Sequence, residues 1–318
     1  KAVAADLPPL AELTDGLLDA LYLLGSRLLR RRRWVVAIDE HRAPFYGDRS
    51  AAGVTGGQRK HGSKYAHGYA TCALVHHRHR FTAGLLALTG GERPHEVVAA
   101  LLGQAEARGL KVRGVVLDSA FDSGETLLLL QQRGLSYAVP LRKKGKGDNR
   151  RNAAWRLAEG AVTRVGWRTE RGNRPVGTLA VVLRRPGGRD KRVCAFGGWG
   201  PERAQAQLRR ARLARRWYRK RFGIETSYRQ MNQCKARTTK KDVAYRLLLV
   251  GLALLLRQAW AWLTWQLARA LRLRPKAWAA LRPWARLAGW LADLLKSKYR
   301  EEKVIHLGSP LLPLGAGL

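Results

Sequence analysis

Residues 34–39 are Trp-Val-Val-Ala-Ile-Asp, and residues 112–118 are Val-Arg-Gly-Val-Val-Leu-Asp. Short apolar runs of this kind, rich in β-branched residues and bounded by charge, are typical of buried strands. A carboxylate at the end of a buried strand is costly to desolvate unless a cation binds it. If the two strands are neighbours in one sheet, Asp39 and Asp118 emerge at the same end, where their oxygens could share Mg²⁺.

The segments around these two runs predict a mixed α/β domain. Further strands are predicted at 69–75, 81–88 and 137–141, and helices at 96–107 and 124–133. The resulting order, βββαβαβ, favours a mixed sheet with flanking helices.

The sequence changes character after a loop-like stretch at 143–151. Short β-prone runs joined by Gly, Pro and Arg turns predict an antiparallel β module, and helical periodicity returns near residue 201. The chain is therefore divided into a helical lead-in (1–33), a first part of the α/β domain (34–150), a β-rich insertion (151–200), a helical completion of that domain (201–270) and a helical tail (271–318).

The charge of the chain predicts a polyanionic partner. The 318 residues include 60 Lys and Arg against 23 Asp and Glu, a net charge of +37, while 46% of residues are apolar. A folded, strongly basic body of this kind excludes an acidic, solvating protein and attracts phosphate. Double-stranded DNA is the first candidate and an anionic membrane surface the second. We expect no membrane span, because the longest apolar run, 247–256, is about half the length that a bilayer requires.

The cysteines and the first residue bear on location and completeness. Cys72, Cys194 and Cys234 are far apart and indicate neither a disulfide framework nor a zinc site, which favours a reducing cytoplasm. The only methionine is Met231, so Lys1 is not an initiator residue and we expect further sequence before it.

Glu225 is the candidate for a third carboxylate, because it lies in an otherwise strongly basic helical segment. Tyr218 and Arg221 lie seven and four residues before it, and helical spacing puts all three on one face.

These residues carry a resemblance to the DDE transposases of bacterial insertion sequences, in particular the insertion-sequence-four superfamily. Residues 39–47, Asp-Glu-His-Arg-Ala-Pro-Phe-Tyr-Gly, resemble that group's first aspartate segment, and residues 117–123, Leu-Asp-Ser-Ala-Phe-Asp-Ser, resemble its second. The third segment of the group has Tyr, Arg, Glu and Lys at fixed spacings. The first three correspond to Tyr218, Arg221 and Glu225, whereas Asn232 occupies the place of the lysine.

The resemblance covers most of residues 34–270, and it implies a fold and an activity. The implied fold is a ribonuclease H-like mixed sheet with flanking helices, interrupted by a β-rich insertion module before the last catalytic helix. The implied enzyme is a DNA transposase that uses two Mg²⁺ ions, or Mn²⁺ in their place, held by the catalytic residues Asp39, Asp118 and Glu225. The implied DNA contacts are Tyr218, Arg221, Lys235, Arg237 and Lys240. The implied partners are element ends and target DNA, bound by a homodimer at the nucleoid in the bacterial cytoplasm.

Two other functions fit the same residues. One is a ribonuclease H-like nuclease that only hydrolyses DNA, since the same acids serve both outcomes. The other is a transposase that has lost catalysis and binds DNA as a repressor or architectural factor.

Several conspicuous residues have plainer interpretations. Asp122 and Ser123 are expected to cap the helix that follows them. The histidines at 76, 77 and 79 are expected at the tip of a basic hairpin rather than as metal ligands. Trp167 and Trp199 are expected to pack in the core rather than to stack on a displaced base.

Overall fold

One mixed sheet organises most of the chain. The computed structural model describes residues 6–24, 29–30, 32–60, 62–75, 81–144, 152–184, 191–200, 203, 206–273 and 284–299. Within these residues the sheet has nine strands: β1 (Trp34–Phe45), β2 (Val54–Lys60), β3 (Ser63–Leu74), β4 (Thr82–Leu88), β5 (Val112–Leu117), β6 (Ser136–Pro140), β7 (Val162–Arg168), β8 (Pro175–Arg184) and β9 (Lys191–Gly197).

The strand order is β2-β3-β1-β5-β6-β9-β8-β7, and β4 also pairs with β3. Strands β1, β5 and β6 are parallel neighbours, and the other pairs are antiparallel. The helices are α1 (Leu10–Leu23), α2 (Pro94–Ala107), α3 (Gly124–Gln132), α4 (Gln207–Cys234), α5 (Val243–Ala270) and α6 (Trp284–Tyr299).

The chain divides into two units, residues 1–265 and 266–318. The first contains the whole sheet and helices α1 to α4 with most of α5. The second contains the end of α5 and helix α6, whose last turn carries Lys296 and Lys298.

Alternation along β1 separates the two faces of the sheet. Val36 and Ile38 belong to a core cluster with α2 and α3, whereas Val35 and Ala37 belong to another with α1, α4 and α5. Because successive side chains of a strand point to opposite faces, Asp39 lies on the face covered by α4.

The structure confirms a mixed α/β fold, and it differs from the sequence-based expectation in the length of β1. The apolar run was expected to end the strand at Asp39, yet β1 continues to Phe45. Strand β3 pairs with β1 over this whole extension, with Tyr65 opposite Phe45. It supplies the backbone hydrogen-bond partners that keep this part of β1 extended, although the sequence of the extension is too polar to predict a strand. Asp39 is instead the point where β1 passes the end of β5.

The β-rich segment also takes a place that the sequence did not indicate. Strands β7 to β9 continue the main sheet, because β9 pairs antiparallel with β6 from Tyr137 opposite Gly197 to Pro140 opposite Cys194. Strand β2 was not predicted at all, since its sequence, Val-Thr-Gly-Gly-Gln-Arg-Lys, lacks apolar alternation.

Helix α5 is, among the described helices, the one long and apolar enough to cross a bilayer by length and composition. A core helix of a soluble protein passes the same test, and α5 carries buried polar contacts of that kind. The Gln258 side chain accepts a hydrogen bond from the Thr82 amide at 2.7 Å and donates one to the Leu21 carbonyl at 2.6 Å. These contacts tie α5 to β4 and α1.

Candidate active site

Asp39 and Asp118 lie side by side at the carboxyl end of the parallel strands. Ile38 of β1 is opposite Leu117 of β5, so the two aspartates are the next residues along neighbouring strands. The sequence predicted that the two aspartates would meet if β1 and β5 were neighbouring strands, and the structure shows that they are.

Helix α4 brings Glu225 to the same place. The Tyr228 hydroxyl, one turn beyond Glu225, donates a hydrogen bond to the Asp39 carbonyl at 2.7 Å. It accepts its second hydrogen bond from the Thr71 hydroxyl, also at 2.7 Å. These two contacts hold α4 against β1 and β3, and Tyr228 is buried.

Arg221 lies among the three carboxylates and contacts each of them. Its Nη1 is 3.1 Å from Asp39 Oδ2, and its Nη2 is 3.0 Å from Glu225 Oε1 and 3.7 Å from Asp118 Oδ1. The Arg221 side chain is 5% exposed and that of Asp39 12%, whereas those of Asp118 and Glu225 are 39% and 45% exposed. The site is therefore closed at Asp39 and open to solvent at the other two acids.

The electrostatics of the site reflect this burial. Loss of hydration raises the pKa of Asp39 to about 6, although the Arg221 guanidinium acts in the opposite direction. Burial also raises the pKa of Glu40, and the nearby charge of Asp118 adds to that effect. Burial by itself lowers the pKa of Arg221, but the surrounding carboxylates, Asp39 foremost, outweigh it and raise that pKa.

The donor set suits a hard divalent cation. All three side chains offer carboxylate oxygens, the ligands that Mg²⁺ and Mn²⁺ prefer. Among the described residues, no three His, Cys, Asp or Glu side chains form a ready-made metal site, and the cation between these acids is Arg221. The Arg221 Nε is buried without a hydrogen-bond partner, which marks an arrangement that is not fully satisfied.

The other predicted DNA contacts lie in three different settings. Tyr218 is buried, its pKa is raised by that burial, and its hydroxyl accepts a hydrogen bond from Arg192 at 3.1 Å. Lys235 and Arg237 follow α4 and line a pocket of about 510 Å³ together with Phe45, Tyr46, Lys241 and Arg246. Burial and the Arg246 charge lower the pKa of Lys235. The Lys240 ammonium lies 4.8 Å from the centre of the Tyr245 ring.

The residues given plainer interpretations are placed as follows. Ser123 caps α3, since its hydroxyl accepts a hydrogen bond from the Thr126 amide at 3.0 Å. Asp122 instead accepts one from the Arg142 amide at 2.6 Å. The histidines at 76, 77 and 79 lie outside the described residues.

Two features of the site escaped the sequence interpretation. Tyr228 was not selected, although it lies on the same helical face as Arg221 and Glu225, a spacing that could have indicated it. Arg221 was selected only as a DNA contact, because its ion pair with Asp39 spans 182 positions of the chain and has no local signal.

Comparison with known proteins finds a family model that matches most of the chain, and solved structures with a similar fold. A family model described as "Transposase DDE domain" matches residues 30–256. The fold is similar to that of a piggyBac transposase, solved by cryo-EM as a synaptic complex with hairpin DNA, with a TM-score of 0.54 and 12% sequence identity over 88% of this chain. The matched region spans 55% of that chain's length. No curated protein matches the sequence.

Proposed function

This chain belongs to the transposase DDE domain family, and we propose on this basis that it is a DNA transposase of the insertion-sequence-four superfamily. It cuts the ends of an insertion sequence and joins them to target DNA. The observation that carries the proposal is the convergence of Asp39, Asp118 and Glu225 from two parallel strands and one helix.

The three carboxylates would hold two Mg²⁺ ions, or Mn²⁺, which when bound activate the attacking oxygen and stabilise the leaving oxygen. Asp39 is the most buried of the three acids, and its backbone carbonyl accepts a hydrogen bond from Tyr228. Asp118 and Glu225 face the open side of the site, where a DNA phosphodiester has access to them.

The proposed chemistry exchanges one phosphorus–oxygen bond for another in each step. A water oxygen first bonds to phosphorus at the element end, and the bond to the 3′ oxygen breaks and leaves a 3′ hydroxyl. That hydroxyl then attacks a target phosphorus, and the target's own 3′ oxygen leaves. Neither step needs an oxidant or a covalent protein intermediate.

The basic residues position the DNA in this proposal. Arg221 neutralises the carboxylates in the metal-free protein, and its planar guanidinium suits a phosphate of the element end once the carboxylates release it. Lys235, Arg237 and Lys240 contact the adjoining DNA backbone. For Lys235 and Arg237 this is supported by the absence of acids from the described lining of their pocket. Tyr218 stays a predicted contact, although its hydroxyl is engaged with Arg192.

The finer features of the family complete the proposal. The sheet from β1 to β6 with its helices corresponds to the ribonuclease H-like part, and β7 to β9 correspond to the insertion before the last catalytic helix, α4. The active form is a homodimer that holds two element ends together in the bacterial nucleoid.

Cleavage and strand-transfer assays on duplexes with the candidate terminal sequences test this function. We expect Asp39→Asn, Asp118→Asn and Glu225→Gln to lower cleavage at least a thousandfold and leave DNA affinity within about threefold, since these acids hold metal rather than phosphate. Glu106→Gln is the matched control, because Glu106 is an exposed acid that pairs with Arg133 on another part of the surface. It should cleave like the wild type.

Three outcomes would contradict the proposal. Near-normal cleavage by any of the three variants would remove that residue from the active site. A wild-type protein that releases 3′ ends but never joins them would be a nuclease. A protein that binds element ends and cleaves none, with either metal, would be a DNA-binding protein that has lost catalysis.

A further inference from the structure

A basic pocket lies at the end of the parallel strands opposite to the end that carries the carboxylates. It is a pocket of about 750 Å³ at the amino ends of the parallel strands. Its cations are Arg32, Arg33, Arg113, Arg216 and Lys220. Along β5, Arg113 is five residues from Asp118, which corresponds to about 16 Å at the usual rise of a strand.

Two tryptophans line this pocket, and one of them contacts two of its cations. The rings of Trp199 and Trp217 are nearly parallel, at an interplanar angle of 19° and a centroid distance of 6.1 Å. The Lys220 ammonium lies 4.5 Å and the Arg113 guanidinium 5.1 Å from the centre of the Trp217 ring. Trp217 is thus already in contact with two cations and a second indole, which suits a scaffold for charge rather than a platform for a base.

Trp199 is held by two hydrogen bonds and has an uncommon backbone conformation. Its indole N–H donates to the Tyr137 carbonyl at 2.8 Å, and its backbone N–H donates to the Ser136 hydroxyl at 3.0 Å. Its φ of +66° is a left-handed conformation that a bulky side chain rarely adopts. The surrounding contacts must stabilise this conformation, so the position of the Trp199 ring in the pocket is well defined. Backbone strain of this type is concentrated at functional sites.

Among the described residues, no acid lines the pocket and no carboxylate lies within salt-bridge distance of its five cations. Burial lowers the pKa of Lys220, and the like charges of Arg216 and Arg113 lower it further. Like charges that repel each other in the free protein are relieved when an anion binds between them.

A basic stripe on α4 runs past this pocket along the helix. Arg209, Arg212, Arg216 and Arg219 are exposed and follow each other at intervals of three or four residues, which places them on one helical face. Glu225 is the only acid in the whole helix. The stripe gives a long polyanion a continuous path along α4.

From these contacts we infer that the pocket of Arg113, Trp199, Trp217 and Lys220 is a second DNA site, which grips the sugar-phosphate backbone about 16 Å from the carboxylates. The inference rests on the proposed function, since it takes DNA as the polyanion. The backbone comes either from the duplex at the active site or from a second duplex.

The test is the salt dependence of DNA binding by the full chain in EDTA, with a 30-base-pair duplex of arbitrary sequence as the probe. Each phosphate contact contributes about 0.9 to the slope of log affinity against log salt. Arg113→Gln with Lys220→Gln should therefore reduce the slope by about 1.8 and weaken binding about 60-fold at 0.1 M salt. Saturation at two duplexes per protomer that falls to one in this variant identifies a second duplex, whereas one duplex throughout identifies a single continuous one.

Arg164→Gln with Arg174→Gln is the matched control. Both arginines are exposed on the β7–β8 hairpin, away from the pocket, and the control removes the same charge. The inference fails if the two double variants lose the same slope, because the loss would then follow net charge alone. It also fails if the pocket variant keeps the wild-type slope, or if it loses binding to phosphatidylserine vesicles but not to DNA.

These outcomes are separable from the fate of the proposed function. An unchanged slope with intact cleavage would contradict the second DNA site and support the transposase function. A reduced slope in a protein that never cleaves DNA would support the second DNA site and contradict the transposase function.

Discussion

At the level of single residues, Arg221 compensates the negative charge of the three carboxylates. Three acids that meet at the end of a sheet repel each other unless a cation lies between them. In this structure the cation is a guanidinium, held by contacts of 3.0 to 3.7 Å. Any metal ion that binds these oxygens must therefore displace or share the position of Arg221.

Arg221→Gln tests this competition. Without metal, the variant should lose about 2–3 kcal/mol of unfolding free energy, because Asp39 stays buried beside two other acids without its partner. Added Mg²⁺ should raise the melting temperature of the variant more than that of the wild type, since the ion no longer competes with a built-in cation. Thermal unfolding with EDTA and with a Mg²⁺ series measures both effects.

Arg219→Gln is the control for this pair of measurements, because Arg219 is an exposed arginine two positions earlier on the same helix. It should change neither quantity. Equal stabilisation of the Arg221 variant and the wild type by Mg²⁺ would show that Arg221 and the metal do not occupy the same place.

Among the elements, those with a strong local pattern were predictable and those fixed by pairing were not. The sequence predicted a strand at 81–88 and a helix at 124–133, and the structure has β4 at Thr82–Leu88 and α3 at Gly124–Gln132. It did not predict β2, whose glycines and charges are held as a strand by pairing with β3. The sequence also did not predict that β9 pairs with β6, because this pairing joins segments that are distant along the chain.

The candidate site divides in the same way. Asp39 and Asp118 were identified from the ends of apolar runs and Glu225 from its position in a basic segment, and the structure brings the three together. The burial of Arg221 and the anchor from Tyr228 to Asp39 depend on how α4 packs on the sheet, a long-range contact with no signature in a single sequence.

Helix α5 gives the prediction at this scale, through Gln258. Gln258→Leu keeps the size of the side chain but leaves the Thr82 amide and the Leu21 carbonyl buried without partners. We expect a loss of about 2–4 kcal/mol of unfolding free energy in urea, since each unsatisfied group costs about 1–3 kcal/mol. Leu256→Gln, at a position 42% exposed on the same helix, should change stability by less than about 0.5 kcal/mol. A Gln258→Leu variant as stable as the wild type would show that α5 is not held by these contacts.

For the molecule as a whole, charge is the dominant property. If every one of the 23 acids were paired with a cation, 37 of the 60 Lys and Arg residues would still lack a partner. The exposed arginines of α4 show where part of this surplus lies. Such a surplus repels itself in the compact state, and either salt or a polyanion relieves the repulsion.

The stability of the metal-free protein should therefore rise with ionic strength. Between 0.05 and 0.5 M NaCl the screening length falls from about 14 Å to about 4 Å, which removes most of the repulsion between exposed cations. We expect the melting temperature in EDTA to rise by a few degrees, which corresponds to about 1–2 kcal/mol. The Arg164→Gln, Arg174→Gln variant should gain less from the same salt, because two of the repelling charges are gone. A melting temperature that falls as salt increases would mean that attractive ion pairs, such as those of Arg221, outweigh the repulsion of the net charge, and the surplus would then have to be dispersed rather than concentrated along α4.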